Sequence, residues 1–246
     1  MSDNGDYRLI TSSNARSPFA EAFRTLRTNI NFAGLDNPYR TILVTSAGPD
    51  EGKTTTIANL GIVMAQSNKK VLIIGLDLRR PNLHKVFNIE DKVGVTNALI
   101  ENIDPRDIAQ EAEIPGLYIL PSGPIPPNPS ELIASQRMHV LLERASKNFD
   151  LVLVDSPPLM LSDALLLANQ VDGVILVVSK GTTRKDHAKD AKEKLERVGA
   201  KVIGVVLNRV DMEGGDYYYY YYYAHDGGSK RRRQKPGKNR FFLKKP

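Results

Sequence analysis

The stretch "VTSAGPDEGKTTTIANL" (residues 44–60) decides the fold class of this protein. An apolar pattern typical of a buried strand runs into a glycine-containing loop, and "GKTT" then opens a helical pattern. The spacing Ala47-x4-Gly52-Lys53-Thr54 fits the phosphate-binding loop, with alanine at the position of the first glycine. Because the strand before and the helix after supply the context that this motif requires, the sequence predicts a nucleotide-binding α/β domain.

The loop residues have distinct expected tasks. Backbone N–H groups from Gly48 to Thr54 lie at the start of a helix, where they and the helix dipole favour an anion. We expect Lys53 to reach the β- and γ-phosphates and the Thr54 hydroxyl to ligate Mg²⁺. The predicted nucleotide-binding residues in this loop are Gly48, Pro49, Asp50, Glu51, Gly52, Lys53, Thr54 and Thr55.

Two carboxylates follow buried strand patterns elsewhere in the chain. Asp155 ends the strand in "LVLVDSPP" (151–158), and Asp77 comes just past the strand in "LIIGLDLRRP" (72–81). Parallel strands end at one edge of a sheet, so both carboxylates should lie beside the loop. With Thr54, Asp155 suits a Mg²⁺ site, and Lys53 and Asp155 are catalytic candidates; the family resemblance described below adds Asp77 to both sets. A turn-capping role is the alternative for Asp155.

Short β-branched runs alternate with helical patterns along the rest of the chain. Predicted strands cover 40–46, 70–77, 117–121, 149–155, 173–179 and 201–208, and predicted helices lie near 53–67, 130–147 and 184–198. Most of these strands are apolar without alternation, as in parallel strands covered on both faces. This order predicts a doubly wound, mostly parallel sheet flanked by helices, with ligands bound at the strands' carboxyl ends.

Two segments outside these runs carry local signals. In "SPFAEAFRTLRTNINF" (17–32), Ser17 and Pro18 suit the start of a helix. Glu21, Arg24 and Arg27 recur every third residue and therefore share one helix face, where intrahelical ion pairs would explain them. The proline-rich "PSGPIPPNPSE" (121–131) is predicted to be a surface loop, with Ser130 as the cap of the next helix.

Composition excludes several classes of protein. The 246 residues include no cysteine, so disulfides and thiolate metal sites are excluded. No apolar stretch approaches the roughly 20 residues of a membrane helix, and we expect a cytosolic domain. The net charge is +6, but residues 225–246 contain nine Lys/Arg and one Asp, so the remainder carries 6 − 8 = −2. The basic tail is either solvated or attracted to an acidic membrane surface or an acidic partner.

A run of seven tyrosines, Tyr217 to Tyr223, precedes the basic tail in "DMEGGDYYYYYYYAHDGG" (211–228). Neighbouring side chains in such a run cannot all reach one buried face, so the run is not typical of a packed core. The run and six other motifs together resemble the bacterial tyrosine kinases of capsule and exopolysaccharide synthesis. Those six are "EAFRTLRTNI" (21–30), "SAGPDEGKTTT" (46–56), "LDLRRP" (76–81), "SGPIPPNPSEL" (122–132), "DSPP" (155–158) and "GVVLNR" (204–209).

The resemblance implies an ATP- and Mg²⁺-dependent kinase that phosphorylates its terminal tyrosines in trans. The acceptors would be Tyr217, Tyr218, Tyr219, Tyr220, Tyr221, Tyr222 and Tyr223. Glu21, Arg24 and Arg27 match an E-x2-R-x2-R element that joins subunits into a ring, which the resemblance suggests is an octamer. A transmembrane activator and a tyrosine phosphatase are the implied partners, and the inner face of the membrane is the implied location.

The resemblance also divides the chain and places its loop in a class. It implies an N-terminal arm (1–16), a phosphate-loop kinase domain (17–210) whose oligomerisation helix spans 17–33, and a flexible tail (211–246). The phosphate loop belongs to the deviant class shared with division-site and plasmid-partition ATPases. Their signature lysine would fall at position 48, which is Gly48 here. Its absence argues against a partition-type switch that binds DNA, and we expect no specific nucleic-acid partner.

One departure from the family bears on activity. The family motif after the second strand is Asp-x-Asp, whereas this chain has Gly75-Leu76-Asp77. By resemblance, the missing aspartate would accept the tyrosine's proton, so impaired transfer is expected. A nucleotide-binding scaffold with little kinase activity is the alternative function. Arg79 and Arg80 would bind phosphate or acceptor, or form structural ion pairs, and Asn208 would contact adenine or form a turn.

Overall fold

The computed structural model describes residues 9 to 210. Within that range the chain contains a twisted sheet of seven strands. The strands are β1 (Thr41–Ser46), β2 (Val71–Gly75), β3 (Gln110–Glu111), β4 (Leu117–Leu120), β5 (Leu151–Asp155), β6 (Gly173–Ser179) and β7 (Val202–Asn208). Their order across the sheet is β3-β4-β2-β5-β1-β6-β7. All neighbouring pairs are parallel except β3 and β4. The predicted, mostly parallel architecture is confirmed.

Helices connect the strands and cover both faces of the sheet. They are α1 (Ile10–Ser13), α2 (Pro18–Ala33), α3 (Lys53–Ala65), α4 (Leu83–Phe87), α5 (Val95–Glu101), α6 (Pro105–Ile108), α7 (Pro129–Ala134), α8 (Gln136–Asn148), α9 (Ser162–Ala168) and α10 (Lys185–Arg197). Among the described residues, none of these helices has the length and apolarity needed to cross a membrane.

The strand residues divide alternately between two apolar clusters. Ile42 and Val44 of β1 pack with Ile57 of α3 on one face, whereas Leu43 packs on the opposite face with Leu142 of α8. Successive strand side chains point to opposite faces, so a strand covered on both sides must be apolar throughout. The uninterrupted apolar runs in the sequence are therefore the mark of a sheet between two helical layers.

The helix expected near 130–147 is in fact two helices, and the prediction of Ser130 as its cap is wrong. Asn128 precedes α7, and Ser130 lies within the first turn of that helix. The chain becomes extended at Ser135, whose side chain instead accepts a hydrogen bond from the Met138 N–H and caps α8. A serine at either position suits a cap locally, so only the path of the chain distinguishes them.

The N-terminal segments pack against the helix that follows the phosphate loop. The Ser17 side chain accepts a hydrogen bond from the Ala20 N–H, and Pro18 opens α2, as predicted. The segment expected to be an arm contains α1, whose buried Thr11 donates from its N–H and its hydroxyl to Asn59 of α3. Residues before Leu9 lie outside the described range.

Close packing of α3 on the sheet depends on Gly61, where a Cβ would lie 2.6 Å from Ile73 Cδ1. We expect Gly61→Val to overpack this contact and lower the free energy of unfolding by about 1–3 kcal/mol. Gly204→Val is the matched control, because a Cβ there would meet nothing within 4 Å. Its free energy of unfolding should change by no more than about 0.5 kcal/mol. Urea denaturation of both variants tests this, and equal stabilities would contradict the close approach.

Candidate active site

The loop between β1 and α3 has a backbone that only certain residues can adopt. Asp50 and Gly52 have φ values of 56° and 89°, in the left-handed region that favours glycine. A Cβ on Gly52 would also lie 2.0 Å from the amide nitrogen of Asn208. Both conformation and space therefore require glycine here, and the turn delivers the chain directly into α3 at Lys53.

The open end of α3 is where an anion would be held. The Thr56 N–H makes the first bond of the helix, to the Gly52 carbonyl, so the N–H groups of Lys53, Thr54 and Thr55 precede any helical acceptor. Two predicted members of the cradle differ from expectation. The Gly48 N–H donates to the Glu51 carboxylate at 3.0 Å, and Pro49 has no N–H to offer. Within the described residues, the open donors therefore run from Asp50 to Thr55.

A carboxylate lies directly beneath this cradle. The Thr54 hydroxyl donates to Asp155 Oδ2 at 2.9 Å, and Asp155 is only 2% exposed. Its other oxygen, Oδ1, has no hydrogen-bond partner within residues 9 to 210. Burial raises the pKa of Asp155 to about 6, although the Lys53 cation and the Thr54 hydrogen bond act in the opposite direction. The negative charge is thus costly until a cation approaches.

The second carboxylate, Asp77, follows β2, the strand that neighbours β5, and lies close to Lys53. Asp77 Oδ2 lies 3.5 Å from Lys53 Nζ, and Asp77 Oδ1 accepts a hydrogen bond from the Arg80 N–H. The register pairs Asp155 with Val44 on one side and with Gly75 on the other. The structure therefore brings together Lys53, Thr54, Asp77 and Asp155 at one sheet edge, as the sequence predicts.

These residues fit a magnesium ion. In the described part of the chain no three His, Cys, Asp or Glu residues cluster as a metal site. Mg²⁺ needs fewer protein ligands, because it keeps several waters and shares the oxygens of bound phosphates. The Thr54 hydroxyl, the buried Asp155 Oδ1 without a partner and the Asp77 carboxylate are the oxygen donors that would hold it.

The phosphate loop is held to the sheet by side chains that sequence reasoning did not assign to that task. Asn208 Nδ2 donates to the Glu51 carbonyl at 2.9 Å, and Arg209 Nη2 donates to the Asp50 carbonyl at 2.7 Å. The Thr183 hydroxyl donates to the buried Glu51 carboxylate. "GVVLNR" signalled the first two residues, whereas no local pattern signalled Thr183. Adenine contact by Asn208 stays a prediction.

Arg79 forms a structural ion pair, which resolves one alternative left open by the sequence. Its Nε lies 2.8 Å from Asp163 Oδ2, and its Nη2 donates to Ser130 Oγ. Ser130 also donates to Asp163 Oδ1 at 2.6 Å. Burial pushes the pKa of Asp163 upward, but the hydrogen bonds from Arg79 and Ser130 outweigh it, and the net shift is downward. The Arg80 side chain is exposed and enters no such pair with another residue between 9 and 210.

Gly75 occupies a crowded position at the end of β2. Its carbonyl accepts a hydrogen bond from Ser122 Oγ at 2.8 Å, and Ser122 is buried. A Cβ at position 75 would lie 3.0 Å from that hydroxyl and 3.5 Å from Leu83 Cδ2. A larger residue therefore fits the extended backbone only if Ser122 gives way by a few tenths of an ångström.

The predicted oligomer residues lie on α2, and the predicted acceptors lie outside the described residues. Arg24 Nη1 pairs with Glu21 at 2.8 Å, and its other nitrogen donates to the Ala15 carbonyl. Arg27 Nη1 donates to the Val63 carbonyl of α3 at 2.8 Å. Of the two open explanations, an intrahelical ion pair accounts for Glu21 and Arg24 but not for Arg27. Tyr217 to Tyr223 fall beyond residue 210.

The fold and site define a phosphate-loop nucleotide-binding protein. Residues 39–184 match the family model described as "AAA domain". Tyrosine-protein kinase YwqD of Bacillus subtilis is 42% identical over 201 residues, which cover 81% of this chain and 85% of that protein. Putative tyrosine-protein kinase CapB of Staphylococcus aureus is 34% identical over 83% of this chain and 90% of its own length. The chain therefore belongs to the bacterial tyrosine kinases.

Solved structures agree with this assignment. The chimerical protein CapA2B2 has a TM-score of 0.78 and 40% identity, covering 82% of this chain and 89% of that chain. The kinase domain of Escherichia coli tyrosine kinase ETK has a TM-score of 0.78 and 32% identity, covering 85% and 84% respectively. The MinD protein of Pyrococcus horikoshii, at 23% identity and a TM-score of 0.61 over 69% and 70%, shares the fold.

Replacing Asp155 by Asn should stabilise the metal-free protein at neutral pH. The folded state holds this proton more tightly than the unfolded chain, whose aspartate titrates near 3.8. The unmodified protein therefore loses stability as pH rises from about 4 to about 6, and the loss persists above that range. We expect Asp155→Asn to be more stable by about 2–3 kcal/mol at pH 7.5 and nearly equal at pH 4. Urea unfolding in EDTA measures the free energy of unfolding of both proteins at each pH. A difference in that free energy that does not change with pH would contradict the buried charge.

Asn208→Ala separates the loop-holding role from the adenine contact. Loss of the hydrogen bond to the Glu51 carbonyl should lower the affinities for ATP and for inorganic tripolyphosphate by the same factor, about 5- to 10-fold for one hydrogen bond. An adenine contact would instead weaken ATP alone. Isothermal titration with Mg²⁺ and each ligand decides between them. Asn148→Ala is the control, because Asn148 bonds within α8 to the Arg144 carbonyl.

Proposed function

We propose that this protein transfers the γ-phosphoryl group of ATP to tyrosines 217–223 of a second copy of itself. The observation that carries the proposal is the hydrogen bond from Thr54 to the buried Asp155, beside the Lys53–Asp77 pair at the open phosphate loop. The tyrosine run supplies acceptors in the same chain. Membership of a family whose relatives are tyrosine-protein kinases supports the reaction class.

The residues divide the work of in-line transfer. N–H groups from Asp50 to Thr55 hold the phosphates, and Lys53 neutralises charge on the β- and γ-oxygens. The tyrosine oxygen forms a bond to the γ-phosphorus as the bond to the β–γ bridging oxygen breaks, which releases ADP, and the phenol proton passes to solvent water. Thr54, Asp77 and Asp155 would hold Mg²⁺, which when bound would supply positive charge to offset the charge that develops on the phosphates.

Gly75 removes the group that would take the phenol proton in the family pattern. A free tyrosine has a pKa near 10, so transfer at pH 7 benefits from a base. Loss of a general base costs about 10²- to 10⁴-fold in rate. Asp77 remains nearby, but it already contacts Lys53 and the Arg80 N–H. We therefore propose slow transfer combined with intact nucleotide binding.

Assembly and partners complete the proposal. Subunits would join through Glu21, Arg24 and Arg27 into a ring, proposed to be an octamer, so that each tail reaches the site of a neighbour. A transmembrane activator would hold the ring at the inner face of the membrane, and a tyrosine phosphatase would remove the phosphoryl groups from the tyrosines. The solved chimerical protein joins CapA and CapB in its name, which supports such a pairing. Control of capsular or exopolysaccharide synthesis or export is the proposed cellular role.

A second candidate function rests on Gly75 alone. If transfer is abolished rather than slowed, the chain would act as a scaffold whose ATP occupancy governs assembly with its membrane partner. The phosphate loop and both carboxylates are intact, so nucleotide binding itself would persist in either case.

Restoring the missing carboxylate tests the proposal. Gly75→Asp should increase phosphotyrosine formation about 10²- to 10⁴-fold in purified protein with Mg-ATP. Because a Cβ at this position would lie 3.0 Å from Ser122 Oγ, Gly75→Asp with Ser122→Ala should accommodate the aspartate without strain. Time courses by phosphotyrosine blotting and mass spectrometry of the tail measure the rate.

Matched variants make the outcome decisive. Ser122→Ala alone should leave the slow rate unchanged, and Lys53→Met should abolish transfer in every background. Silence of Gly75→Asp, with and without Ser122→Ala, while nucleotide binds normally would overturn the kinase proposal and favour the scaffold. Repeating the assay in the presence of the cytoplasmic segment of a partner membrane protein tests whether this silence is due only to a missing activator.

A further inference from the structure

A basic cleft opens on the surface just beyond the end of β2. Its lining includes Arg79, Arg80, His84, Lys85 and Ile125, and its volume is ≈ 510 Å³. The first two residues lie two and three positions after Asp77, and the next two lie on α4. Ile125 comes from the proline-rich loop that crosses this edge of the sheet. We call this surface, defined by these five residues, the basic cleft.

Two of the four basic side chains in the basic cleft already face a carboxylate. Arg79 pairs with Asp163 at 2.8 Å, and His84 Nδ1 lies 3.1 Å from Asp91 Oδ2. By contrast, Arg80 and Lys85 are exposed, and within residues 9 to 210 neither side chain forms an ion pair. Two cationic side chains therefore face solvent from one concave surface.

The basic cleft is linked to the catalytic residues through two contacts. The backbone N–H of Arg80 donates to Asp77 Oδ1 at 3.1 Å, and Asp77 Oδ2 lies 3.5 Å from Lys53 Nζ. An extended peptide bound in the basic cleft would thus lie beside the site where the γ-phosphate of ATP is expected. This proximity suits recognition of the acceptor rather than of the nucleotide, whose cradle is formed by residues 50–55.

The basic cleft also presents apolar surface. The side chain of Ile125 is 64% exposed, so it offers apolar surface to a bound peptide. An aliphatic side chain beside a guanidinium offers packing and cation–π contact to an aromatic ring. Exposed cations and apolar surface together match a peptide in which aromatic residues stand next to carboxylates.

The chain contains such a segment. Residues 211–223 carry Asp211, Glu213 and Asp216, no Lys or Arg, and then seven consecutive tyrosines. We propose that the basic cleft binds these acidic residues from a second copy, through Arg80 and Lys85, and thereby presents the first tyrosines to the active site. This inference deepens the proposed function and rests on it for the choice of acceptor. It assigns Arg80 and Lys85 as specificity-determining residues for the acceptor.

A direct binding measurement tests this without requiring phosphoryl transfer. The probe is a fluorescein-labelled peptide with the sequence of residues 211–218, DMEGGDYY, titrated with the full-length protein and followed by fluorescence anisotropy. In 50 mM NaCl, Arg80→Ala combined with Lys85→Ala should weaken binding about 5- to 20-fold, and the loss should shrink at 500 mM NaCl because salt screens exposed charges. The alanine at position 80 keeps the N–H that contacts Asp77.

Two controls isolate the charges of the basic cleft. Arg106→Ala combined with Lys147→Ala removes two exposed cations that already pair with Asp107 and Glu143 elsewhere on the surface, and should leave peptide affinity unchanged. The neutralised peptide NMQGGNYY should bind weakly and equally to all variants. Unchanged ATP affinity in each variant shows that the fold is intact.

Each outcome decides one question. Equal peptide affinity in the unmodified and cleft variants, equal loss in the control variant, or tight binding of the neutralised peptide would overturn the inference. Peptide binding that depends on the basic cleft, together with absent phosphotyrosine in the restored kinase, would overturn the proposed function alone. If the cleft substitutions change neither phosphotyrosine formation nor peptide affinity, the inference about the basic cleft is overturned and the proposed function stands.

Discussion

The site depends on one carboxylate that the sheet holds out of water. Asp155 is 2% exposed at the end of the central strand β5, and burial raises its pKa to about 6. Burying a charge is expensive unless it is paired and hydrogen-bonded. The Thr54 hydroxyl supplies one bond, and the Lys53 cation lowers the cost, yet Oδ1 keeps no partner in residues 9 to 210. The buried carboxylate therefore favours the binding of a cation at the place where phosphates would bind.

The phosphate loop is held by side chains at and just after the ends of two neighbouring strands, β6 and β7. Asn208 and Arg209, at the end of β7, bond the carbonyls of Glu51 and Asp50. Thr183, after β6, bonds the Glu51 carboxylate, which in turn accepts the Gly48 N–H. Each hydrogen bond contributes only about 0.5–1.5 kcal/mol. Together they leave the loop N–H groups oriented before any ligand arrives, which is what preorganised anion binding requires.

Local sequence rules succeeded where one short segment determines the outcome. The apolar runs predicted six strands, because a strand between two helical layers must be apolar on both faces. The rules failed where partners come from distant segments. Ser130 looked like a helix cap, but it bonds Asp163, and the Arg79 pair with Asp163 spans 84 residues. The two-residue strand β3 is too short to leave a periodic pattern.

The sequence by itself determined the phosphate loop, the parallel sheet and the grouping of Lys53, Thr54, Asp77 and Asp155, because strand ends in such a sheet share one edge. Only the tertiary structure decided which groups are already satisfied. It showed that Gly48 is engaged by Glu51, that Arg79 is neutralised while Arg80 and Lys85 are free of ion pairs within residues 9 to 210, and that Gly75 faces Ser122. Hydrogen bonds and ion pairs between remote segments depend on ångström-scale distances, which residue order does not specify.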